Sequence, residues 1–373
     1  MRLLTIIGAR PQIIKAAAIS RAVKNLFSNQ IEERILHTGQ HYDKNMSQVF
    51  FDQLGIPQPD FNLGVGSGSH GSQTAKMISG IEEVLLSDRY DGIILYGDTN
   101  STLAGAVAAS KLHVPVFHIE AGLRSFNMAM PEEINRIVCD QLASICFAPT
   151  QTAVDNLRRE GFFESGAIFA DGRHRLICNS GDVMYDNSMY FAQMATERSS
   201  LLSQLNLESG NYILATVHRD NNTDNPERLN AIMRALSDIA QQEAVPVVLP
   251  LHPRTKKILE QDDQFAKYGA HLTIIPPASF FDIIMLERNA RIVMTDSGGV
   301  QKEAFFFEKP CVILRPETEW VEIVNEGAGI IADADYDRIV EAYRRLVGQP
   351  VHFPHLFGDA HASEHVLEHI LSY

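Results

Sequence analysis

Met294-Thr295-Asp296-Ser297-Gly298-Gly299-Val300-Gln301-Lys302-Glu303-Ala304 is the stretch whose reading decides the fold. It continues an apolar run, Arg291-Ile292-Val293-Met294, that predicts a short buried strand. Thr295-Asp296-Ser297 turns the chain, and two glycines open a segment of helix formers. A strand, a glycine turn and a helix start leave backbone N–H groups unpaired at the positive end of a helix dipole, where an anion is stabilised. Ser297, Gly298 and Gly299 are therefore candidates for holding a phosphate. An ordinary strand-to-helix turn with a serine cap fits the same residues.

Outward from this stretch, strands are expected at residues 212–217, 245–249, 272–275, 291–294 and 311–314, with helical patterns between them. Strands alternating with helices imply a parallel sheet with right-handed crossovers. His218 follows the first of these strands and His252-Pro253-Arg254 the second; Phe280 precedes the Ser-Gly-Gly strand, and Arg315 and Glu319 follow the next. The last stretch, 361–372, carries Val366, Leu367, Ile370 and Leu371 on one helical face.

The first half reads the same way. Leu3 to Ile7 predicts a strand that ends in Gly8-Ala9-Arg10-Pro11-Gln12 and feeds a helix, with Arg10 at the strand's carboxyl end and Lys15 one turn on. In open α/β sheets ligands bind at that end. A strand at 34–37 comes next, then the Gly- and Ser-rich segment 63–71, expected to be a mobile loop over a cleft. Residues 92–96 are a buried strand that delivers Asp98, and 114–119 a further strand that delivers Glu120. Two successive strands ending in carboxylates on one rim make Asp98 and Glu120 acid/base candidates, although Asp98 also suits a helix cap. Pro131 starts a helix whose Ile134, Ile137, Val138, Leu142 and Ile145 predict one buried face, with Glu132 and Arg136 roughly opposite as an exposed ion pair or as cleft residues. Residues 169–181 are expected to be irregular, with the domain boundary near them.

At 373 residues the chain is too long for one typical core, so two domains are expected. A formal charge of −14 argues against non-specific nucleic-acid binding, and no run of about eighteen apolar residues suggests a membrane span. The N-terminus is expected to be a first strand rather than a signal peptide. Four cysteines without a Cys-x-x-Cys pair are expected to be reduced thiols of a cytoplasmic protein, with no metal. The whole is an α/β chain of two Rossmann-like doubly wound domains facing across a cleft, with an anion site on the second and a carboxylate-rich rim on the first. That suits a nucleotide-linked substrate.

Eight segments together resemble the non-hydrolysing UDP-N-acetylglucosamine 2-epimerase family: Gly8-Ala9-Arg10-Pro11, Thr38-Gly39-Gln40-His41, Gly97-Asp98-Thr99, His118-Ile119-Glu120-Ala121-Gly122-Leu123-Arg124, Pro131-Glu132-Glu133-Ile134-Asn135-Arg136, Val217-His218-Arg219, His252-Pro253-Arg254, and the stretch from Asp296 to Ala304. The resemblance implies a glycosyltransferase-B type fold, with residues 1–178 and a terminal helix at about 360–373 forming the first domain and 179–359 the UDP-binding second. It implies a homodimer without nicotinamide cofactor or required metal, acting on a UDP-sugar in surface polysaccharide synthesis. The family inverts C2 by breaking the C1–O bond to UDP, forming 2-acetamidoglucal and re-adding UDP, as in the interconversion of UDP-GlcNAc and UDP-ManNAc. Carried onto this sequence, Arg10, His218, Ser297, Gly298 and Gly299 would hold the diphosphate, Glu303 the ribose, and Phe280 would lie near the uracil. Lys15, His252, Arg254, Arg315 and Glu319 join the substrate-binding candidates. Asp98, Glu120 and Glu132 become acid/base candidates, His218 a further catalytic one, and Arg136 orients or contacts the substrate.

The chain departs from the common pattern at Gln12, at Tyr42-Asp43, at Gly181-Asp182-Val183-Met184-Tyr185-Asp186 and at Trp320-Val321-Glu322. The resemblance implies 2-epimerisation of UDP-GlcNAc as the first reading; these variants look more like the branch acting on UDP-2,3-diacetamido-2,3-dideoxy-glucuronic acid, so the same chemistry on that sugar is the alternative. The carboxylate at C6 of such a sugar needs a cation, for which Arg173, His174 and Arg175 are the candidates. A glycosyltransferase on the same scaffold is the alternative from another class, since fold alone does not fix function.

Overall fold

The computed structural model describes residues 1–39, 57–162, 167–168, 174–251, 255–256, 259 and 268–373. His252, Arg254, Arg173 and the Gln40-His41-Tyr42-Asp43 segment lie outside the described residues. The chain divides into two compact units, Met1–Asn187 with His355–Tyr373, and Ser188–Pro354.

The first unit is built on an eight-stranded sheet in the order β3-β2-β1-β4-β5-β6-β8-β7. Its strands are β1 (Arg2–Ile7), β2 (Glu32–His37), β3 (Phe61–Asn62), β4 (Gly92–Tyr96), β5 (Val116–Ile119), β6 (Ile145–Ala148), β7 (Ala167–Ile168) and β8 (His174–Asn179). All neighbours pair parallel except β7 with β8. Between them run α1 (Arg10–Ala22), α2 (His70–Ser87), α3 (Asn100–Lys111), α4 (Pro131–Leu142) and α5 (Gln151–Arg159). The central strands β4, β5 and β6 are buried along their whole length, because helices cover both faces of a parallel sheet; this is why they read as unbroken apolar runs. Thr99 and Thr150 cap α3 and α5 through their side chains.

The division between the units falls within α6 (Val183–Arg198). The second unit carries six strands in the order β11-β10-β9-β12-β13-β14, all parallel. These are β9 (Ile213–Thr216), β10 (Val247–Pro250), β11 (Leu272–Ile275), β12 (Ile292–Thr295), β13 (Cys311–Ile313) and β14 (Gly329–Ile331). The principal helices are α7 (Pro226–Glu243), α8 (Phe280–Asn289), α9 (Gly298–Phe306) and α10 (Tyr336–Val347). The closing helix, α11 (Ala362–Ser372), belongs to the first unit, where it contacts α1 and the Asp186 carboxylate accepts from the backbone N–H groups of Ala362 and Ser363 at 3.0 and 2.7 Å. Among the described residues no helix is long and apolar enough to cross a membrane.

Read in chain order within each unit, both sheets contain the doubly wound order 3-2-1-4-5-6, whose switch point lies between the first and fourth strands. Three sequence expectations are corrected. Residues 169–181, expected to be irregular, include β8, which pairs in register with β6 (Ile145 opposite Leu176); such pairing is non-local and leaves little trace in periodicity. The two-residue β3 and the three-residue β14 are too short for a pattern to reveal. The third correction is α4, which buries Glu133, Asn135, Cys139 and Asp140 and leaves Ile134 43% and Leu142 36% exposed. Its polar face turns inward because fixed donors and charged groups wait there, while the expected buried stripe lies partly in solvent.

Candidate active site

In the second unit the switch point brings together the ends of β9 and β12. Asp296, fully buried, accepts from the backbone N–H of His218 at 3.0 and 3.1 Å, from that of Arg219 at 3.1 Å and from Asn222 Nδ2 at 3.0 Å. Below it the Thr216 and Thr295 hydroxyls meet at 2.6 Å. One carboxylate thus fixes the loop carrying His218 to the turn carrying Ser297 and Gly298. The Ser297 side chain makes no capping bond, so the reading of this serine as a helix cap is corrected: the backbone N–H of Ser297 is tied to Thr295 Oγ1 at 3.0 Å instead.

Around the start of α9, Arg315 Nη1 and Glu319 Oε2 are 2.9 Å apart, and a Cβ on Gly298 would lie 2.1 Å from Glu319 Oε1. Trp320 Nε1 donates to the Gly298 carbonyl at 2.9 Å, and the buried Lys302 ammonium sits 4.3 Å from the Trp320 ring. Gly299 is exposed. A pocket of about 480 Å³ beside this rim is lined by His218, Asp220, Thr223, Pro250, Thr255, Pro277, Ala278 and Ile283. Phe280, at the first turn of α8, packs edge-on to Phe191 and Phe281 at 5.1 and 5.5 Å. Removal of its carboxyl from water pushes Glu303 up to about 7.

In the first unit Gln12 does for the switch point what Asp296 does in the second. Its Oε1 accepts from the N–H groups of Gly8 and Ala9 at 2.9 and 3.1 Å, and its Nε2 donates to the Tyr96 carbonyl at 2.9 Å and Thr102 Oγ1 at 3.0 Å. A carboxylate here could not make the last two donations, which gives this departure from the family pattern a local reason. Arg10 projects from the turn that Gln12 holds and is exposed.

Asp98, just past β4, is paired with Arg136 of α4, whose other Nη binds Glu133 at 2.8 Å. Burial opposes the Glu133 charge, but the backbone N–H groups of Ser125 and Phe126 and the Arg136 guanidinium keep its pKa below the ordinary glutamate value. Arg136 therefore reaches Asp98 and Glu133; the pairing with Glu132 is not made, and Glu132 is exposed. Glu120, just past β5, lies 2.5 Å from Lys15 Nζ and sits at φ +70°, a left-handed conformation that costs a non-glycine residue about 1–2 kcal/mol. Asp98 and Glu120, each with its own cation, come together at the carboxyl ends of two adjacent parallel strands.

Arg175 does not join them. It is the second residue of β8, near that strand's amino end and so on the opposite edge of the sheet, where it bonds the Gln141 carbonyl and its guanidinium lies 4.6 Å from the Phe162 ring. His174 starts the same strand. The cation expected from this segment for a C6 carboxylate is thus not supplied by Arg175. The Gly- and Ser-rich loop is tied to the 38–39 turn by Val65 N–H to Thr38 O (3.0 Å) and Gly66 N–H to Gly39 O (3.0 Å), with Gln73 Nε2 on Gly66 O (2.8 Å).

Gln12, Asp296, His118, Asp140 and Glu133 were not singled out for a role by sequence. Each is a polar residue in a run that packs inside, and Asp296, His118 and Glu133 also stand within the segments that carry the family resemblance.

Two 3-2-1-4-5-6 units with polar loops at their carboxyl edges define an α/β protein of the glycosyltransferase-B type. Residues 24–371 match the family model described as UDP-N-acetylglucosamine 2-epimerase. Over 371 residues, 99% of both chains, the protein is 49% identical to the UDP-2,3-diacetamido-2,3-dideoxy-D-glucuronate 2-epimerase of Pseudomonas aeruginosa. It superposes over its full length on the UDP-GlcNAc 2-epimerase of Methanocaldococcus jannaschii in complex with UDP-GlcNAc and UDP (TM-score 0.80, 38% identity, all of that chain). The UDP-GlcNAc 2-epimerase of Neisseria meningitidis bound to UDP-GlcNAc matches equally fully (TM-score 0.81, 26% identity). The chain belongs to the UDP-N-acetylglucosamine 2-epimerase family, and it is an isomerase, a UDP-sugar 2-epimerase.

Proposed function

We propose that the protein inverts C2 of a UDP-linked 2-acetamido sugar by elimination and re-addition of UDP, and that the sugar is 2,3-diacetamido-2,3-dideoxy-glucuronic acid. The observation that carries the reaction is the meeting of Asp98–Arg136 and Glu120–Lys15 on one strand rim. The C2–H of the sugar is too weakly acidic for direct removal, so C1–O cleavage comes first and builds positive charge at C1. One carboxylate takes the C2 proton to give the 2-acetamidoglucal; a proton then returns to the opposite face as UDP re-adds at C1. Each carboxylate has its own cation on that rim, Asp98 with Arg136 and Glu120 with Lys15, and between them they serve the removal and the return of the C2 proton. Ser297, Gly298, Gly299, Arg10 and His218 serve the diphosphate, whose departure needs donors fixed beforehand. Glu303 serves the ribose, and Phe280 lies by the uracil.

The choice of sugar rests on the 49% identity to the Pseudomonas enzyme together with Gln12 and the other departures of the sequence. UDP-GlcNAc is the second reading, favoured by the Methanocaldococcus enzyme in complex with that sugar. Incubation of each sugar in deuterated water tests both. Deuterium at C2 without an acceptor is expected, with the higher kcat/KM on the diacetamido-uronate. Full retention of C2–H sinks the elimination route, and higher kcat/KM on UDP-GlcNAc, with formation of UDP-ManNAc, sinks the choice of sugar.

The proposal includes a homodimer working in the cytoplasm in surface polysaccharide synthesis. Exposed Phe126, Met128, Met130, Ile134 and Leu142 form an apolar stretch on α4 and the loop before it that a second copy would cover, and the four free cysteines suit a reducing compartment. Light scattering on wild type and Ile134→Arg is expected to show a dimer and a shift toward monomer; a wild-type monomer at micromolar concentration refutes this part.

A further inference from the structure

The buried His118 side chain on β5 has an oxygen against each ring nitrogen. Nδ1 lies 2.7 Å from Asp140 Oδ1 and Nε2 lies 2.8 Å from the Gly97 carbonyl. A carbonyl oxygen carries no proton, so Nε2 must donate. The Asp140 carboxylate is held ionised from its other side, where Oδ2 accepts from Gly122 N–H at 3.1 Å and from Arg124 Nη1 at 2.7 Å, so Nδ1 must donate as well. Arg124 continues to Glu160 at 2.7 Å. A neutral imidazole would set a lone pair against one of these oxygens, inside the protein, at a cost comparable to a lost buried hydrogen bond.

The consequence lies in what the ring and its carboxylate hold. Gly97 (φ +61°) is the residue before Asp98, and Gly122 (φ +79°) follows Glu120 (φ +70°) by two. We propose that His118 is a standing imidazolium whose ion pair with Asp140 positions the turns of both acid/base carboxylates, Asp98 through Gly97 and Glu120 through Gly122. Burial opposes the charge, but the Asp140 carboxylate bonded to Nδ1 outweighs it and holds His118 well above the ordinary histidine range. Asp140 is kept low against burial by His118 and Arg124, and the Cys139 thiol is pushed up by burial and stays neutral. His118 touches no reacting atom; it acts through backbone it fixes.

The claim of charge stands on its own geometry, whereas the effect on turnover rests on the epimerase reading above. Long-range 15N–1H spectra of protein labelled at histidine test the first, with the His118 resonances assigned by their absence in His118→Gln. Both ring nitrogens are expected to be protonated and to stay so from pH 6 to pH 9; one unprotonated nitrogen at pH 8 overturns the proposal. Kinetics test the second. Glutamine supplies one of the two donors, so His118→Gln and Asp140→Asn are each expected to lose about 100-fold in kcat, with UDP affinity held within about threefold because the groups assigned to UDP belong to the other unit, apart from Arg10, whose turn Gln12 holds. Near-wild-type kcat in both variants overturns the positioning role, as does a parallel collapse of UDP affinity. Wild-type protein that exchanges no deuterium into either sugar sinks the epimerase reading instead and leaves the spectroscopic test untouched.

Discussion

Asp296→Ala is expected to unfasten the second unit at its switch point. The carboxylate satisfies three donors: the backbone N–H of His218, that of Arg219, and Asn222 Nδ2. Each bond is charge-assisted, and leaving a buried donor unpaired costs about 1–3 kcal/mol; the two backbone donors are only partly buried, so about 3–5 kcal/mol in total is expected for Ala. Asn keeps one oxygen where Oδ2 stands, serving Arg219, Asn222 and part of the His218 bond, so Asp296→Asn is expected to cost about 1–2 kcal/mol. The sole tryptophan, Trp320, lies buried in this unit and donates to Gly298 at 2.9 Å, so its emission reports unfolding of the second unit alone. With a urea m-value of about 2 kcal/mol per molar, the Ala midpoint falls by roughly 2 M at unchanged slope. A loss below about 1 kcal/mol for Ala, or equal losses for Ala and Asn, refutes the account of Asp296 as a three-donor pin.

Other outcomes follow from the same geometry. Gly298→Ala would collide first with the Glu319 carboxylate, the free end of a mobile side chain, so the melting temperature is expected to hold while UDP affinity drops at least about tenfold through loss of close phosphate approach; calorimetry with UDP checks it. Asp98→Asn and Glu120→Gln are each expected to abolish most turnover while still binding UDP, and near-normal rates in both would remove them from the chemistry. Glu287 is fully enclosed, with neither oxygen hydrogen-bonded among the described residues, and burial, then the neighbouring Glu303, pushes its carboxyl well up. Both folded-state values exceed the unfolded one, so stability is fully present below about pH 4.5 and is lost as pH rises through about 7 for Glu303 and through the raised value of Glu287. Glu287→Gln is therefore expected to raise the melting temperature at pH 8.5 and leave it nearly unchanged at pH 5. A pH-independent difference would contradict that.

Much of the fold was legible because its signals are local. A buried parallel strand must be apolar along its length, so β4, β5 and β12 announced themselves, and the polar residues just past β4, β5, β9 and β12 marked the rim on which the candidates lie. Pro131 at the start of α4 and the glycines of the Ser297-Gly298-Gly299 turn were equally plain, since their backbone requirements are their own. The partners of the site residues were not legible. The i, i+4 spacing of Glu132 and Arg136 pointed to each other, whereas Arg136 turns to the partly buried Asp98 and the buried Glu133, whose oxygens are fixed nearby.

By itself the sequence determined the alternation of strands and helices, the edge of each sheet on which the candidate residues lie and the family to which the chain belongs. Only the tertiary structure decided that α4 buries its polar face, that Arg175 stands at the far edge from Asp98 and Glu120, and that His118 is braced between Asp140 and Gly97. The physical reason is the same in each case: burial and charge pairing depend on which distant groups share a small volume, and residues 21 or 22 positions apart declare that only once the sheet has formed.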